Sequence, residues 1–157
     1  MSEVRVLIVE DEPLIAEDIA TALANNDFNV SGIAYSMEDA LDELKRNLPD
    51  LVLLDINLNG GEEGIEIAHE INARYSLPFV FLTSYSDKIT LLHAKNTEPA
   101  GYVVKPFTDA GLYATLEIAL FNHTQKNKHL FPELTLDYLI GNLMLPGLFM
   151  MAKRTTR

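Results

Sequence analysis

Short apolar runs recur at Val4–Val9 (VRVLIV), Leu51–Leu54 (LVLL), Phe79–Leu82 (FVFL) and Tyr102–Val104 (YVV), and stretches of helical period separate them. Runs apolar on both faces are what parallel strands buried between helices look like. Phe28–Ala34 (FNVSGIA) differs, because Phe28, Val30 and Gly32 alternate with polar Asn29 and Ser31, as expected of an edge strand. Pro13 suits the first position of a helix carrying Ile15, Ile19, Ala22 and Leu23 on one face. Ser36 with Asp39 resembles a capping box ahead of Met37, Leu41, Leu44 and Leu48, and Pro49 stops that helix. Ile65, Ala68 and Ile71 mark a third helix, and Ile89 and Leu92 a fourth, closed by Pro99. Thr108 and Asp109 open a fifth, with Leu112, Leu116, Ala119 and Leu120 on its buried side. The order is (βα)₅, an α/β chain whose doubly wound parallel sheet is covered on both faces by right-handed crossovers. In open sheets of this kind the binding or reacting groups lie beyond the carboxyl ends of the strands.

Those ends carry a consistent set. Glu10 and Asp11 follow the first strand, Asp55 ends the third, Thr83 and Ser84 end the fourth, and Lys105 and Pro106 follow the fifth. One polar residue at a strand end is usually a turn or cap. Three carboxylates, a hydroxyl and an ammonium on one edge of a sheet are a different matter. Gathered carboxylates repel unless a cation joins them, and oxygen ligands without His or Cys favour a hard ion such as Mg²⁺. A carboxylate can attack phosphorus, while a cation and an ammonium neutralise the transferred charge. The charge balance agrees: residues 1–125 hold 7 basic and 21 acidic side chains, net −14, against a total of −11 for all 157 residues. An acidic body argues against nucleic-acid binding, which needs Lys and Arg on phosphates. The chain has no Cys, so disulfides, thiolate metal sites and a cysteine nucleophile are excluded. A start without a charged-then-apolar leader predicts a cytoplasmic protein, and no apolar stretch reaches the length of a membrane span.

With VLIVEDEP, DLVLLDINL, FVFLTSYSD and GYVVKPF in place, residues 4–123 resemble the receiver domains of two-component response regulators. The resemblance implies a flavodoxin-like strand order 2-1-3-4-5 with Asp55 as phosphoacceptor. It also implies Mg²⁺ held by Asp11, by Asp55, by the backbone carbonyl of Asn57 and, through water, by Glu10. Thr83 would bind the phosphoryl group and report it, Lys105 would neutralise it, and Tyr102 would be the aromatic switch. The Lys105–Pro106 bond would be cis. The partners implied are a sensor histidine kinase or phosphotransfer protein, and a homodimer through the face of the fourth helix, fifth strand and fifth helix. Phosphotransfer and autodephosphorylation would be self-catalysed, so the chain is not expected to be an enzyme in the ordinary sense.

Two departures from the family pattern stand out. The loop INLNGGEEG lacks the usual Pro and runs one residue longer before Gly64, and Tyr85 is bulky where many receivers carry a small residue. Tyr85 and Asn57 are expected to influence the attacking water and so the phosphoryl lifetime. His69, His93, His123 and His129 lack metal-motif spacing, and the first three read as solvent-facing; Asn59-Gly60-Gly61 reads as a turn; Asp39, Asp42 and Glu43 read as a solvated helix face. Of Leu91 and Leu92, which could serve a dimer, one is expected to be core. The expected division is a receiver over 1–125 and a tail over 126–157, with Lys126 to Lys128 a polar exit from the fifth helix. The tail reads as a truncated output region, an interaction segment or non-native sequence.

Three rivals remain. An aspartyl-phosphate phosphatase of the haloacid dehalogenase type uses similar residues, but it needs an acid two positions after its nucleophile, where Asn57 stands, and a nucleophile on the first strand. A flavodoxin would meet phosphate with Glu10-Asp11-Glu12, which repels it. A transcription-regulating response regulator would need a DNA-binding domain this chain lacks, since no basic recognition helix is present.

Overall fold

The apolar runs become five parallel strands in the computed structural model, which describes residues 3–84 and 88–130, with side chains through residue 125. In chain order the elements are β1 (Arg5–Val9), α1 (Pro13–Asn25), β2 (Asn29–Ala34), α2 (Met37–Arg46), β3 (Leu51–Asp55), α3 (Glu63–Arg74), β4 (Phe79–Thr83), α4 (Lys88–Lys95), β5 (Gly101–Val104) and α5 (Asp109–Leu130). All pairings are parallel and the sheet order is β2-β1-β3-β4-β5. This is the doubly wound flavodoxin-like α/β architecture expected, with the alternating segment β2 at an edge.

Strand parity divides the core in two. Leu7, Val9, Val52, Leu54, Phe79 and Phe81 meet Ala40 and Leu44 of α2, Ile65, Ala68 and Ile71 of α3, and Ala94 of α4. Val6, Ile8, Leu51, Leu53, Val80, Leu82 and Val103 meet Ala16, Ile19, Ala22 and Leu23 of α1 and Leu112, Leu116 and Ala119 of α5. Every residue of β3 and β4 is buried, as sheet centres covered on both faces require. Each fully buried Leu or Ile contributes about 2 kcal/mol, so the central strands are held more firmly than β2.

Local signals set the helix ends. Pro13 occupies the first turn of α1. Ser36 Oγ accepts the Asp39 N–H at 3.1 Å, with Glu38 and Asp39 in the first turn of α2 and Lys45 and Arg46 in its last, both favourable to the helix dipole. Thr108 Oγ1 accepts the Gly111 N–H at 2.9 Å ahead of α5. Leu48 lies beyond α2 and is exposed, its carbonyl accepting the Arg5 guanidinium at 2.6 Å. In α4 the inward residues are Leu91 and Ala94, while Ile89 and Leu92, which marked the helix in the sequence, are 71% and 62% exposed. His69 and His93 are exposed and His123 is half-buried.

The described residues up to Leu120 form one compact unit. The backbone of α5 continues to Leu130, past the exit expected at Lys126–Lys128. Tyr85 and residues 131–157, the bulk of the expected tail, lie outside the described residues. Among the described residues no helix is long and apolar enough to cross a membrane.

Candidate functional site

Parity also sorts the polar residues at the carboxyl edge. Glu10 follows Ile8, Asp55 follows Leu53 and Lys105 follows Val103, so all three carry the parity of the α1–α5 face. Thr83 and Tyr102 carry that of the opposite face, since Thr83 follows Phe81 and Phe81 pairs with Tyr102 in register. The Glu10 and Asp55 carboxylates and the Lys105 ammonium thus approach the sheet edge from one face, and Thr83 and Tyr102 from the other.

The three carboxylates converge, with one oxygen each from Glu10, Asp11 and Asp55 within 4.8 Å of one another. Lys105 Nζ lies 3.0 Å from Glu10 Oε1 and 3.6 Å from Asp55 Oδ2. Glu10 is fully buried and its second oxygen accepts the Glu12 N–H at 3.1 Å, so each of its oxygens already has one polar partner. Asp55 is 6% exposed, and its Oδ1 accepts the Asn57 N–H at 3.1 Å. A cavity of about 290 Å³ opens here, lined among others by Asp11, Asp55, Asn57, Thr83 and Lys105. Thr83 is buried and its hydroxyl donates to the Ser84 carbonyl at 3.3 Å, a long bond that is easily exchanged. The Lys105–Pro106 peptide is cis, and the Lys105 N–H donates to the Thr83 carbonyl at 2.7 Å, fixing the lysine to the end of β4.

Charge crowding shows in the ionisation of these groups. Burial, followed by the charge of Glu10, pushes the Asp55 carboxyl up to about 7, against the pull of Lys105 and the Asn57 N–H. Burial lowers the Lys105 ammonium, but the Asp55 and Glu10 carboxylates outweigh it and hold the group above its ordinary value. One ammonium is therefore not enough to hold Asp55 at its ordinary carboxylate value. The donor set fits a hard divalent ion: Asp11 and Asp55 offer oxygens, and the Asn57 carbonyl, which accepts the Gly60 N–H at 2.8 Å, keeps its second lone pair.

Tyr102 stands outside this cavity, half-buried, its ring stacked on Phe81 at 6.1 Å and 29°. Burial raises its phenol, which stays neutral near pH 7.

Gly64 is a site residue whose role the sequence did not reveal. A Cβ there would lie 2.1 Å from the Asp55 carbonyl oxygen and 3.0 Å from that of Ile56, so α3 begins hard against the backbone of the Asp55 strand end. The only signal in the sequence is a glycine at a displaced offset from Asp55. The loop after Asp55 holds a 3₁₀ turn, Leu58–Gly60, with Asn59 and Gly60 at φ 56° and 78°, values that suit Asn and Gly.

The family model described as response regulator receiver domain matches residues 6–117. Among curated proteins, the chain is 35% identical over 119 residues to the phyllosphere-induced regulator PhyR of Methylorubrum extorquens, covering 74% of this chain and 43% of PhyR. It is 34% identical over 116 residues to the transcriptional regulatory protein PdtaR of Mycobacterium tuberculosis, covering 74% and 56%. The chain thus spans about half the length of the curated relatives it matches. Among solved structures, the signal receiver domain of a modulated diguanylate cyclase from Desulfovibrio desulfuricans superposes with a TM-score of 0.74 at 33% identity, covering 80% of this chain and 99% of that one.

Proposed function

Because this chain belongs to the response regulator receiver domain family of two-component signalling, we propose that Asp55 accepts a phosphoryl group from a phosphohistidine on a sensor histidine kinase or phosphotransfer protein. The observation that carries this reading is the convergence of Glu10, Asp11 and Asp55 with the Lys105 ammonium at one cavity. An Asp55 carboxylate oxygen attacks phosphorus, the P–O bond forms, the P–N bond breaks, and the donor ring, protonated on its other nitrogen, leaves as neutral imidazole. Asp11, Asp55 and the Asn57 carbonyl, with Glu10 through water, would hold Mg²⁺. Bound there, the ion would supply charge neutralisation for the carboxylates and the phosphoryl oxygens. Lys105 adds a second positive charge on the Asp55 side. In this reading the domain is a signalling acceptor rather than a classical enzyme, working in the cytoplasm.

The same reading assigns a switch. Thr83 exchanges its long bond to Ser84 for a phosphoryl oxygen, and the space it leaves lies on the face of the sheet that Tyr102 shares. Phosphorylation then favours one of two existing arrangements. The signal leaves through α4, β5 and α5, where Ile89, Leu92 and Ile118 are exposed, a surface suited to a second copy or an output partner. A regulatory output of the kind named for PdtaR belongs to this proposal as a class only. Incubation with acetyl phosphate and Mg²⁺, followed by peptide mapping, tests it: one phosphoryl group on Asp55 is expected and none on Asp55→Asn. Phosphoryl mass at another residue, or none on the wild type, would overturn it.

A further inference from the structure

α4 is thinly packed. It buries Ala94 and half-buries Leu91, and leaves Ile89 and Leu92 in solvent. Its position therefore rests heavily on a few polar ties. At its end, Thr97 Oγ1 donates to the Ala94 carbonyl at 2.6 Å, and Asn72 Nδ2 of α3 donates to the Thr97 carbonyl at 2.8 Å. Within the helix, His93 Nδ1 lies 2.9 Å from Glu62 Oε2. Glu62 closes the loop that follows Asp55, and its backbone is fixed because its carbonyl accepts the N–H groups of Ile65 and Glu66 at 3.1 and 3.2 Å. The loop begins at Ile56, and its next residue, Asn57, donates its N–H to Asp55 Oδ1 at 3.1 Å. One side-chain contact thus joins the loop on the phosphoacceptor side to the helix that follows Thr83.

We propose that the Glu62–His93 contact is a resting-state latch: it holds α4 against the loop after Asp55, and loading of the site works against it. The first half stands on the contact alone, and the second rests on the receiver reading of Asp55. Pairs at this degree of exposure bias an equilibrium modestly, up to about five-fold. Because coupling is reciprocal, a latch present only in the resting arrangement lowers the affinity of the loaded one by the same factor.

The test compares wild type, Glu62→Gln, His93→Gln and the double variant. Amide hydrogen exchange of the metal-free proteins reads the latch without any phosphoryl chemistry. Each single variant should speed exchange across residues 88–95 by about two- to five-fold, and the double should match the singles, because the pair is lost once. Glu62→Gln is the sharper probe, since it leaves the composition of α4 untouched. Unchanged exchange, or effects of the two substitutions that multiply, would overturn the latch. Titration of the same proteins with beryllium trifluoride in Mg²⁺ reads the coupling, and the variants should bind two- to five-fold more tightly than wild type. Equal affinities in all four would overturn the coupling. Failure of the wild type to bind beryllium trifluoride, with the exchange effect intact, would count against the receiver reading and not against the latch.

Discussion

Asp55→Asn should stabilise the metal-free protein, by an amount that grows with pH. In the folded state the Asp55 carboxyl ionises at about 7 because of burial and Glu10, against 3.8 for an unperturbed group. Between those values the folded protein holds a proton that the unfolded chain has released. Stability from this group is therefore full below pH 3.8 and is lost as pH rises toward 7, at about 1.4 kcal/mol per pH unit. The loss amounts to about 2 kcal/mol at pH 5 and about 4 kcal/mol at pH 8. Asn carries no titrating proton, so the advantage of the variant over wild type should widen by about 2 to 3 kcal/mol between those pH values. Any fixed effect of exchanging oxygen for nitrogen cancels in that difference. Urea unfolding of both proteins at pH 5 and pH 8, in EDTA, measures it. Mg²⁺ at a hundred times its dissociation constant should then return about 2.7 kcal/mol to the wild type at pH 8 and much less to the variant, which lacks one carboxylate. Parallel stability curves for the two proteins, with equal responses to Mg²⁺, would refute the idea that Asp55 sits in a charge-crowded, cation-seeking pocket.

Other substitutions separate the remaining roles. Gly64→Ala places a Cβ against the Asp55 carbonyl and should cost about 3 kcal/mol or more while slowing phosphorylation by acetyl phosphate; wild-type stability and rate would show that the approach of α3 is easily relaxed. Lys105→Met removes the ammonium 3.6 Å from Asp55 and should tighten Mg²⁺ on the order of tenfold yet slow phosphoryl transfer, so calorimetry and transfer kinetics should move in opposite directions. Thr83→Ala should leave phosphorylation within a few-fold of wild type and abolish the response of the Tyr102 ring in NMR spectra. Equal loss of both would contradict the division between chemistry on one sheet face and reporting on the other.

Much of this architecture was legible because buried parallel strands are apolar on both faces, as LVLL and FVFL are, and the edge strand is not. The site was legible for a related reason: a polar residue ending such a strand has only the carboxyl edge to occupy, so Glu10, Asp55, Thr83 and Lys105 were confined to one place. What stayed hidden depends on tertiary approach. The eight residues of α4 offer two spacings of equal length, Ile89 with Leu92 and Leu91 with Ala94, and only packing shows that the second faces inward. Gly64 shows its purpose only when α3 lies against the Asp55 carbonyl. Glu62 and His93 are 31 residues apart, and no periodicity links them. Leu48 extended the apolar pattern of α2, but that helix ends at Arg46, just ahead of Pro49.

A crystal of the protein soaked in Mn²⁺ and beryllium trifluoride tests the account at its centre. One anomalous peak should appear among the oxygens of Asp11, Asp55 and the Asn57 carbonyl, with beryllium on an Asp55 oxygen and fluorides near Lys105 and Thr83. Manganese elsewhere on the acidic surface, or beryllium on another carboxylate, would contradict the account.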